Sequence, residues 1–174
     1  DLGEYTAKLY AGANNRYQNI DYPTIMGVET EALEDMGYEF LEGKTAATGK
    51  DEAVGGQYLA YSFKDSLLPD GSNMVDRWGE YDENGNQIGE IDDPYFNPLT
   101  TPITLELTDS NENTYQRELQ VTGLVKEDYG KGYETSEGLM VSIATLKDII
   151  STMTGMPVGK TDYTSMNVKA TDIS

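Results

Sequence analysis

Apolar and polar positions alternate most clearly between residues 103 and 125. In the run Ile-Thr-Leu-Glu-Leu-Thr at 103–108 every second residue is apolar, which predicts a strand with one buried face. A polar turn at 109–113 leads into a second alternating run at 117–125, where Gly123 suits a bulge or a close backbone approach. The apolar positions on one face of this second run are Leu119, Val121 and Val125. We therefore predict a β-hairpin whose inner face belongs to the core.

Shorter apolar or alternating runs predict further strands. They cover residues 4–10, 25–28, 51–56, 139–141 and, near the end of the sequence, 166–170. Since helical patterns separate several of these runs, the chain is expected to combine strands and helices around one sheet.

Apolar residues three and four positions apart predict three helices. The first begins with Thr30 as its cap and ends at Gly43, the second covers residues 57–66, and the third begins at Ser142 and ends at Gly155. Their predicted buried positions are Leu33, Met36 and Phe40 in the first, Leu59 and Phe63 in the second, and Leu146, Ile149, Ile150 and Met153 in the third.

Residues 67–99 have a different character, with many turn formers and little core material. Asn84-Gly85 lies between apolar and aromatic residues, which predicts a tight hairpin that pairs 77–81 with 87–91. A long segment with so few core residues is typical of a surface excursion. We therefore predict a single domain over residues 1–174 with an inserted lobe at about 67–99.

Composition narrows the class of protein. The 174 residues are 37% apolar with a mean hydropathy of -0.56, and no run approaches the roughly 20 apolar residues of a membrane span. The first residues do not form a signal peptide, so a membrane-bound parent would make this chain an excised soluble part. A net charge of -19 argues against nucleic acid and against anionic membrane surfaces as partners. The absence of Cys leaves the compartment open.

The sequence offers few catalytic candidates. It contains no His, which removes the usual general base of serine and cysteine hydrolases and the commonest zinc ligand. A lysine-activated serine would need Ser62 and Lys64 to meet, but residues two apart face different directions on the predicted helix. Two of the many acids could converge as a glycosidase pair, although solvation at turns and polar faces accounts for them more simply.

A calcium loop is the best small-ligand candidate. Asp82, Asn84 and Asn86 have the one-three-five oxygen spacing of such a loop, and Glu90, Asp92 and Asp93 follow. The sixth position, however, is Gln87 instead of glycine, and the twelfth is Asp93 instead of glutamate. A plain Asn-Gly hairpin explains the same residues and is the preferred interpretation.

Aromatic residues are concentrated in the excursion, where Trp78, Tyr81, Tyr95 and Phe96 lie among the 33 residues 67–99. Exposed aromatic side chains can stack on sugars or anchor a protein partner. The same residues could instead form the small core of the lobe.

Several segments together resemble the extracellular core domain of MacB-like and FtsX-like ABC transporter permeases. The segments that carry the resemblance, in the order of that domain, are 41–44 (Leu-Glu-Gly-Lys), 51–54 (Asp-Glu-Ala-Val), 121–126 (Val-Thr-Gly-Leu-Val-Lys), 139–142 (Leu-Met-Val-Ser) and 166–169 (Met-Asn-Val-Lys). The likeness spans roughly residues 5–65 and 97–172. Two departures are the missing glycine in the turn at 97–101 and the long excursion at 67–99.

The resemblance implies an α+β fold, a mixed sheet with helices mainly on one side. It implies a non-catalytic domain on the extracellular or periplasmic side of the cell membrane, which couples ATP-driven change to the handling of a substrate or partner. The implied partners are a cytoplasmic ABC ATPase, reached through the parent's transmembrane helices, and a second permease copy or an adaptor protein. No catalytic, cofactor or metal residue is carried over. The alternative is a secreted carbohydrate- or calcium-binding module.

Overall fold

The structure is a computed structural model that describes residues 5–155. This range contains eleven strands, two α-helices and three short 3-10 turns. The strands are β1 (Thr6–Ala11), β2 (Tyr17–Asn19), β3 (Ile25–Val28), β4 (Phe40–Gly43), β5 (Glu52–Gly56), β6 (Lys64–Asp65), β7 (Glu80–Tyr81), β8 (Gln87–Ile88), β9 (Ile103–Thr108), β10 (Thr114–Val125) and β11 (Leu139–Ser142); the helices are α1 (Glu134–Glu137) and α2 (Ile143–Thr154). The predicted strand at 166–170 lies outside the described residues.

The fold is α+β, as predicted, with few helices. Among the described residues, eight strands form one sheet in the order β3-β11-β5-β10-β9-β1-β2-β6, and β4 adds to β10 as a ninth. The sheet is mixed because β5 runs parallel to β10 and β3 runs parallel to β11, while the other neighbours are antiparallel. The predicted lobe hairpin forms a separate ribbon, but it is shorter than predicted, since β7 and β8 pair only Glu80 with Ile88 and Tyr81 with Gln87.

Strand β10 joins the two halves of the sheet. Its first six residues, 114–119, pair with β9 in the predicted hairpin, and residues 120–125 pair with β5 and β4. The side chains of Leu119 and Val121 are buried in one core cluster, as the alternation predicts. The prediction that Val125 shares their face is wrong, because the register of β10 shifts between Val121 and Gly123 and Val125 is buried in a second cluster. This 12-residue strand therefore organises the domain.

Gly123 permits the close backbone approach that its position predicted. The register of β10 against β5 shifts between Val121 and Gly123. On the other side Gly123 lies opposite Gly43, and a Cβ atom on Gly123 would collide with the carbonyl oxygen of Lys44. A Cβ on Gly43 would likewise collide with the carbonyl oxygen of Thr122. The two glycines allow β4 to pair closely with the last residues of β10.

The sheet has core on both faces around β5. Ala53 belongs to the larger cluster, which α2 covers with Leu146 and Ile149. Val54 points to the opposite face and joins a smaller cluster beneath residues 29–47. Burial on both faces explains why β5 reads as a continuous apolar run instead of an alternating one.

The first predicted helix is wrong. Residues 30–32 form a 3-10 turn, Gly37 with a φ of +83° redirects the chain, and residues 40–43 become strand β4. Thr30 does not cap a helix because its hydroxyl donates to the carbonyl of Ala47 at 2.7 Å. The apolar spacing instead places Leu33 in the smaller core, where it is fully buried.

The second predicted helix is also wrong. Residues 59–62 form a 3-10 turn and β6 follows at once, pairing with β2. The hydroxyl of Ser62 donates to the carbonyl of Leu59 at 2.6 Å, so the side chain competes with the backbone bonding of a helix. Leu59 and Phe63 are both fully buried, so the apolar spacing reflects core packing around a turn.

The third predicted helix, α2, is confirmed. The Ser142 hydroxyl accepts a hydrogen bond from the Thr145 amide at 3.1 Å, and Gly155 adopts the left-handed conformation just after the last turn. Leu146 and Ile149 are buried against the sheet, while Ile150 and Met153 are partly buried. Neither helix within residues 5–155 has both the length and the hydrophobicity of a membrane span.

Candidate functional site

A cleft of about 340 Å³ opens where the inserted lobe meets the body of the domain. Its volume is within the usual range for small-ligand sites. The lining residues come from the end of β2 and the turn after it, from β6, from the lobe and from α1. They are Gln18, Asn19, Ile20, Asp21, Tyr22, Pro23, Thr24, Ser62, Lys64, Met74, Tyr133 and Glu137.

Tyr22 stands at the rim of this cleft with 98% of its surface exposed. Its φ of +58° lies in the left-handed region, and the residue after it is Pro23. Such a conformation costs a bulky residue about 1–2 kcal/mol, and the exposed ring recovers none of that cost by burial. A strained backbone that presents an aromatic ring to solvent favours a binding role for the ring.

The floor of the cleft is polar and paired. Lys64 Nζ lies 2.7 Å from Asp21 Oδ2, and this hydrogen bond raises the pKa of Lys64. The Asn19 amide donates to the Ser62 hydroxyl at 3.0 Å. The cleft therefore offers a solvent-exposed ammonium–carboxylate pair, and an amide bonded to Ser62, next to aromatic rings.

Ser62 and Lys64, the pair that the sequence argued against as a nucleophile and its base, both lie at the cleft. The reasoning from a helix is wrong, since residues 57–66 are not helical and both side chains line the same cleft. The Ser62 hydroxyl donates to a backbone carbonyl, and Lys64 is held as a cation by Asp21. In this arrangement neither group acts on the other.

Tyr133, which directly precedes α1, and Glu137, the last residue of α1, both line the cleft. The Thr135 hydroxyl folds the preceding loop, since it accepts from the Asp128 amide at 2.8 Å and donates to the Gly132 carbonyl at 2.7 Å. Tyr133 donates its phenolic proton to Glu137 Oε2 at 2.6 Å, and this bond raises the pKa of Tyr133 to about 12. The hydrogen bonds of this segment hold both side chains in place.

Arg77 fastens the lobe to the body beside the cleft. Its side chain is only 8% exposed and lies between two aromatic rings, with its guanidinium carbon 4.4 Å from the centre of Tyr58 and 4.1 Å from that of Trp78. Arg77 Nη1 donates to Glu127 at 2.9 Å and to Ser136 at 3.0 Å. These contacts join the lobe to the segment that follows β10 and to α1.

Two further groups complete this network. Arg77 donates to the phenolic oxygen of Tyr129 at 3.3 Å, and its Nε lies 3.6 Å from Glu137. Burial alone would lower the pKa of Arg77, but the hydrogen bonds to Glu127 and Tyr129 raise it. Burial would raise the pKa of Glu127, but hydrogen bonds from Ser136 and Arg77 hold it below its ordinary value. The network is charged and preorganised.

Sequence reasoning placed Arg77 in the strand of the lobe hairpin and missed this role. The usable signal was its isolation, because Arg77 is the one basic residue between Lys64 and Arg117 and it precedes the single Trp of the chain, Trp78. A lone cation among so many acids is expected to be neutralised inside the fold.

The predicted aromatic cluster divides into core and surface. Tyr95 stacks on Tyr17 with ring centres 5.2 Å apart, and Phe96 packs edge-on against Phe63 at 4.9 Å. Trp78 and Tyr81 are instead about half exposed. Tyr95 and Phe96 thus join the main core of the domain instead of forming a separate core of the lobe, and binding by Trp78 and Tyr81 stays a prediction.

The candidate calcium loop is closed by its own hydrogen bonds, in agreement with the preferred hairpin interpretation. Asp82 Oδ1 accepts the amides of Asn84 and Asn86, and Oδ2 accepts the side-chain amide of Asn86 at 3.1 Å. The backbone and side-chain bonds from Asn86 lower the pKa of Asp82. The turn at 109–113 repeats the arrangement with Asp109 as acceptor. Within residues 5–155 no three His, Cys, Asp or Glu side chains converge as a metal site would require, the acids at 90–93 included.

Asp51 and Asp148 bring two carboxylates together, as a glycosidase pair would require, but both bind the same arginine. Arg117 Nη1 lies 2.7 Å from Asp51 and 3.1 Å from Asp148, and the Arg117 side chain is largely buried. The guanidinium neutralises both groups and ties α2 to the start of β5. The contact explains these two acids as a structural ion pair.

Comparison of the chain with protein-family models, with curated proteins and with solved structures finds no match.

Proposed function

We propose that this chain is the extracellular domain of an ABC transporter permease, and that it contacts a substrate or partner protein outside the membrane. The observation that carries the proposal is the junction between the lobe and the body of the domain. There a 340 Å³ cleft lies beside aromatic side chains that the buried Arg77 contacts. We define the aromatic face as Tyr22, Met74, Trp78, Tyr129 and Tyr133.

The aromatic face has the features of a binding surface. Its five side chains are each about half exposed or more. Arg77 contacts Trp78 and Tyr129, and through Glu137 it reaches Tyr133, which shares the cleft with Met74 and Tyr22. Exposed aromatic side chains that are already held in place lose little conformational entropy when they bind a partner, so binding at such a surface has a low entropic cost.

The segments that resemble the permease family further support the proposal in those cases where the segment forms a strand in the structure. Residues 51–54, 121–126 and 139–142 lie mainly in the adjacent strands β5, β10 and β11. The segment 41–44, which resembles the end of a helix, belongs largely to strand β4 here. Support from the fold therefore comes from the central strands alone.

Net charge is consistent with such a position. At -19 the domain is repelled by anionic lipid head groups, so it would stand away from the bilayer that anchors its parent. The exposed aromatic face would then be accessible to molecules outside the cell.

A secreted carbohydrate-binding module is the second candidate. The specific observation in its favour is the cleft, where the amides of Gln18 and Asn19 lie near the rings of Tyr22 and Tyr133. Aromatic rings next to oriented amides suit sugar faces and hydroxyls.

The full-length reading frame tests the proposal. We expect one apolar span before this segment and a group of spans after it, each near the roughly 20 residues of a bilayer crossing. Expressed in its native host, the full-length protein should fractionate with membranes and copurify with an ABC ATPase. A secretory signal followed by this domain without spans, together with hits on a glycan array, would contradict the proposal and favour the carbohydrate module.

A further inference from the structure

We infer that the aromatic face and the lobe bind a cationic polypeptide, one whose lysine or arginine residues flank apolar side chains. The inference rests on the proposed function, because it names the chemistry of the partner at the same site.

Exposed apolar side chains are concentrated around the lobe. Of the twelve large apolar side chains that are exposed within residues 5–155, seven belong to the lobe: Leu67, Leu68, Met74, Trp78, Tyr81, Ile88 and Ile91. Four more, Ile20, Tyr22, Tyr129 and Tyr133, belong to the cleft or to the aromatic face. Leu41 on β4 is the remaining one. Such an uneven distribution is typical of an interaction surface.

The identity of these residues favours a polypeptide over a sugar. Tyr, Trp and Met are the side chains enriched at protein interfaces, and aliphatic residues offer a sugar no flat face on which to stack. Ile88 and Tyr81 lie on the ribbon of β7 and β8, which has only two residues in each strand. Ile88 pairs with Glu80 and Tyr81 with Gln87, so the two apolar side chains lie on opposite faces of the ribbon, and a partner that covers either one would stabilise it.

The charge of the lobe selects a cation. Residues 67–99 contain eight Asp and Glu residues against one basic residue, Arg77. Arg77 is buried and paired with Glu127 and Glu137, so it contributes little positive potential at the surface. Like-charge repulsion disfavours nucleic acids, anionic lipids and acidic proteins, whereas a basic segment would be attracted over a distance set by salt.

Three short synthetic peptides test both parts of the inference. The first alternates lysine with leucine, the second glutamate with leucine, and the third lysine with serine. Binding to the intact 174-residue chain is measured by fluorescence of its single Trp, Trp78, and by calorimetry. We expect the lysine–leucine peptide to bind at least about tenfold more tightly than the other two, because both charge and apolar contact contribute. Its affinity should fall as salt rises.

Matched variants locate the site. Triple neutralisation of lobe acids (Glu80→Gln, Glu83→Gln, Glu90→Gln) should weaken binding of the lysine–leucine peptide strongly, while neutralisation of three exposed acids at 31–35 (Glu31→Gln, Glu34→Gln, Asp35→Asn) should not, although both change net charge equally. Tyr22→Ala should weaken binding about tenfold, as expected for a hot-spot aromatic. Leu41→Ala removes an exposed apolar residue elsewhere and should have no effect.

Equal binding of the lysine–serine and lysine–leucine peptides would reduce the effect to general charge attraction and overturn the inference. Equal loss from both triple variants would do the same, as would absence of peptide binding from a chain that binds neutral glycans. Failure here, with the full-length protein still in the membrane with its ATPase, would refute the partner class and leave the proposed function intact. A soluble parent that still binds the peptide would refute the proposed function alone.

Discussion

Replacement of Arg77 by Met should destabilise the domain and loosen the lobe. The guanidinium makes charged hydrogen bonds to Glu127 at 2.9 Å and lies between the Tyr58 and Trp78 rings. Removal of one partner from a buried ion pair costs about 3–5 kcal/mol. Glu127 keeps some access to water and Met retains apolar contact with both rings, so we expect the lower end, about 3 kcal/mol.

Urea unfolding of Arg77→Met gives the change in unfolding free energy, and Trp78 reports the lobe itself. Since Trp78 is the single Trp, a red-shifted emission and faster acrylamide quenching in the folded variant would show that the ring has lost its stacking partner. The control is Lys126→Met, which breaks an exposed ion pair with Glu39 and should change stability by less than about 1 kcal/mol. If Arg77→Met matched that control and left Trp78 emission unchanged, the role of Arg77 as a fastener would be refuted.

Three further predictions concern turns, backbone contact and pH. Glu112 has a φ of +64° in the turn that repeats the one in which Gly85 has a φ of +81°. Glu112→Gly should therefore raise the free energy of unfolding by about 1 kcal/mol, and Gly85→Ala should lower it by a similar amount. Thermal melts that show changes of the opposite sign would contradict the equivalence of the two turns. Gly43→Ala should destabilise the domain by several kcal/mol, at least about 3, because the new Cβ would collide with backbone atoms. A near-normal melting temperature would show that β4 does not pack against β10 as described. Hydrogen bonds from Arg16 hold the pKa of Asp65 below its ordinary value of 3.8. A carboxyl whose pKa is lowered in the folded state stabilises the fold above its unfolded-state pKa, and this contribution is lost as the pH falls. The urea midpoint of the unmodified chain should therefore fall between pH 5 and pH 3, and that of Asp65→Asn should fall by a smaller amount.

The elements predicted correctly are those whose local pattern agrees with their environment. The hairpin of β9 and β10 has one buried face, so its alternation is visible in the sequence. Helix α2 carries both its cap, Ser142, and its end, Gly155, in the sequence. In these places propensity, spacing and packing lead to the same structure.

The two incorrect helices fail because apolar spacing does not distinguish a helix from a turn packed on a core. Leu33 and Phe63 have helical spacing to their neighbours, yet each inserts into the core from a tight turn. Pairing partners far along the chain decide the outcome, since β4 pairs with β10 and β6 pairs with β2. Such long-range contacts override local propensity.

The candidate site could be predicted only in part. The sequence drew attention to the aromatic excursion, and Trp78 and Tyr81 are indeed at the surface. It gave no indication of the cleft, because Tyr22 and Tyr133 come from turns far from the lobe and from each other in the chain. Their proximity is a consequence of the fold.

The most direct test of the central claim is photo-crosslinking in the native host. A benzophenone amino acid is placed in the full-length protein at Tyr22, at Trp78 or, as the control, at Leu41, which is also exposed but lies away from the aromatic face. We predict that the membrane-bound protein forms a discrete adduct with a basic polypeptide from Tyr22 and Trp78 but not from Leu41. Adducts equally strong at all three positions, or a parent protein absent from the membrane, would contradict the account.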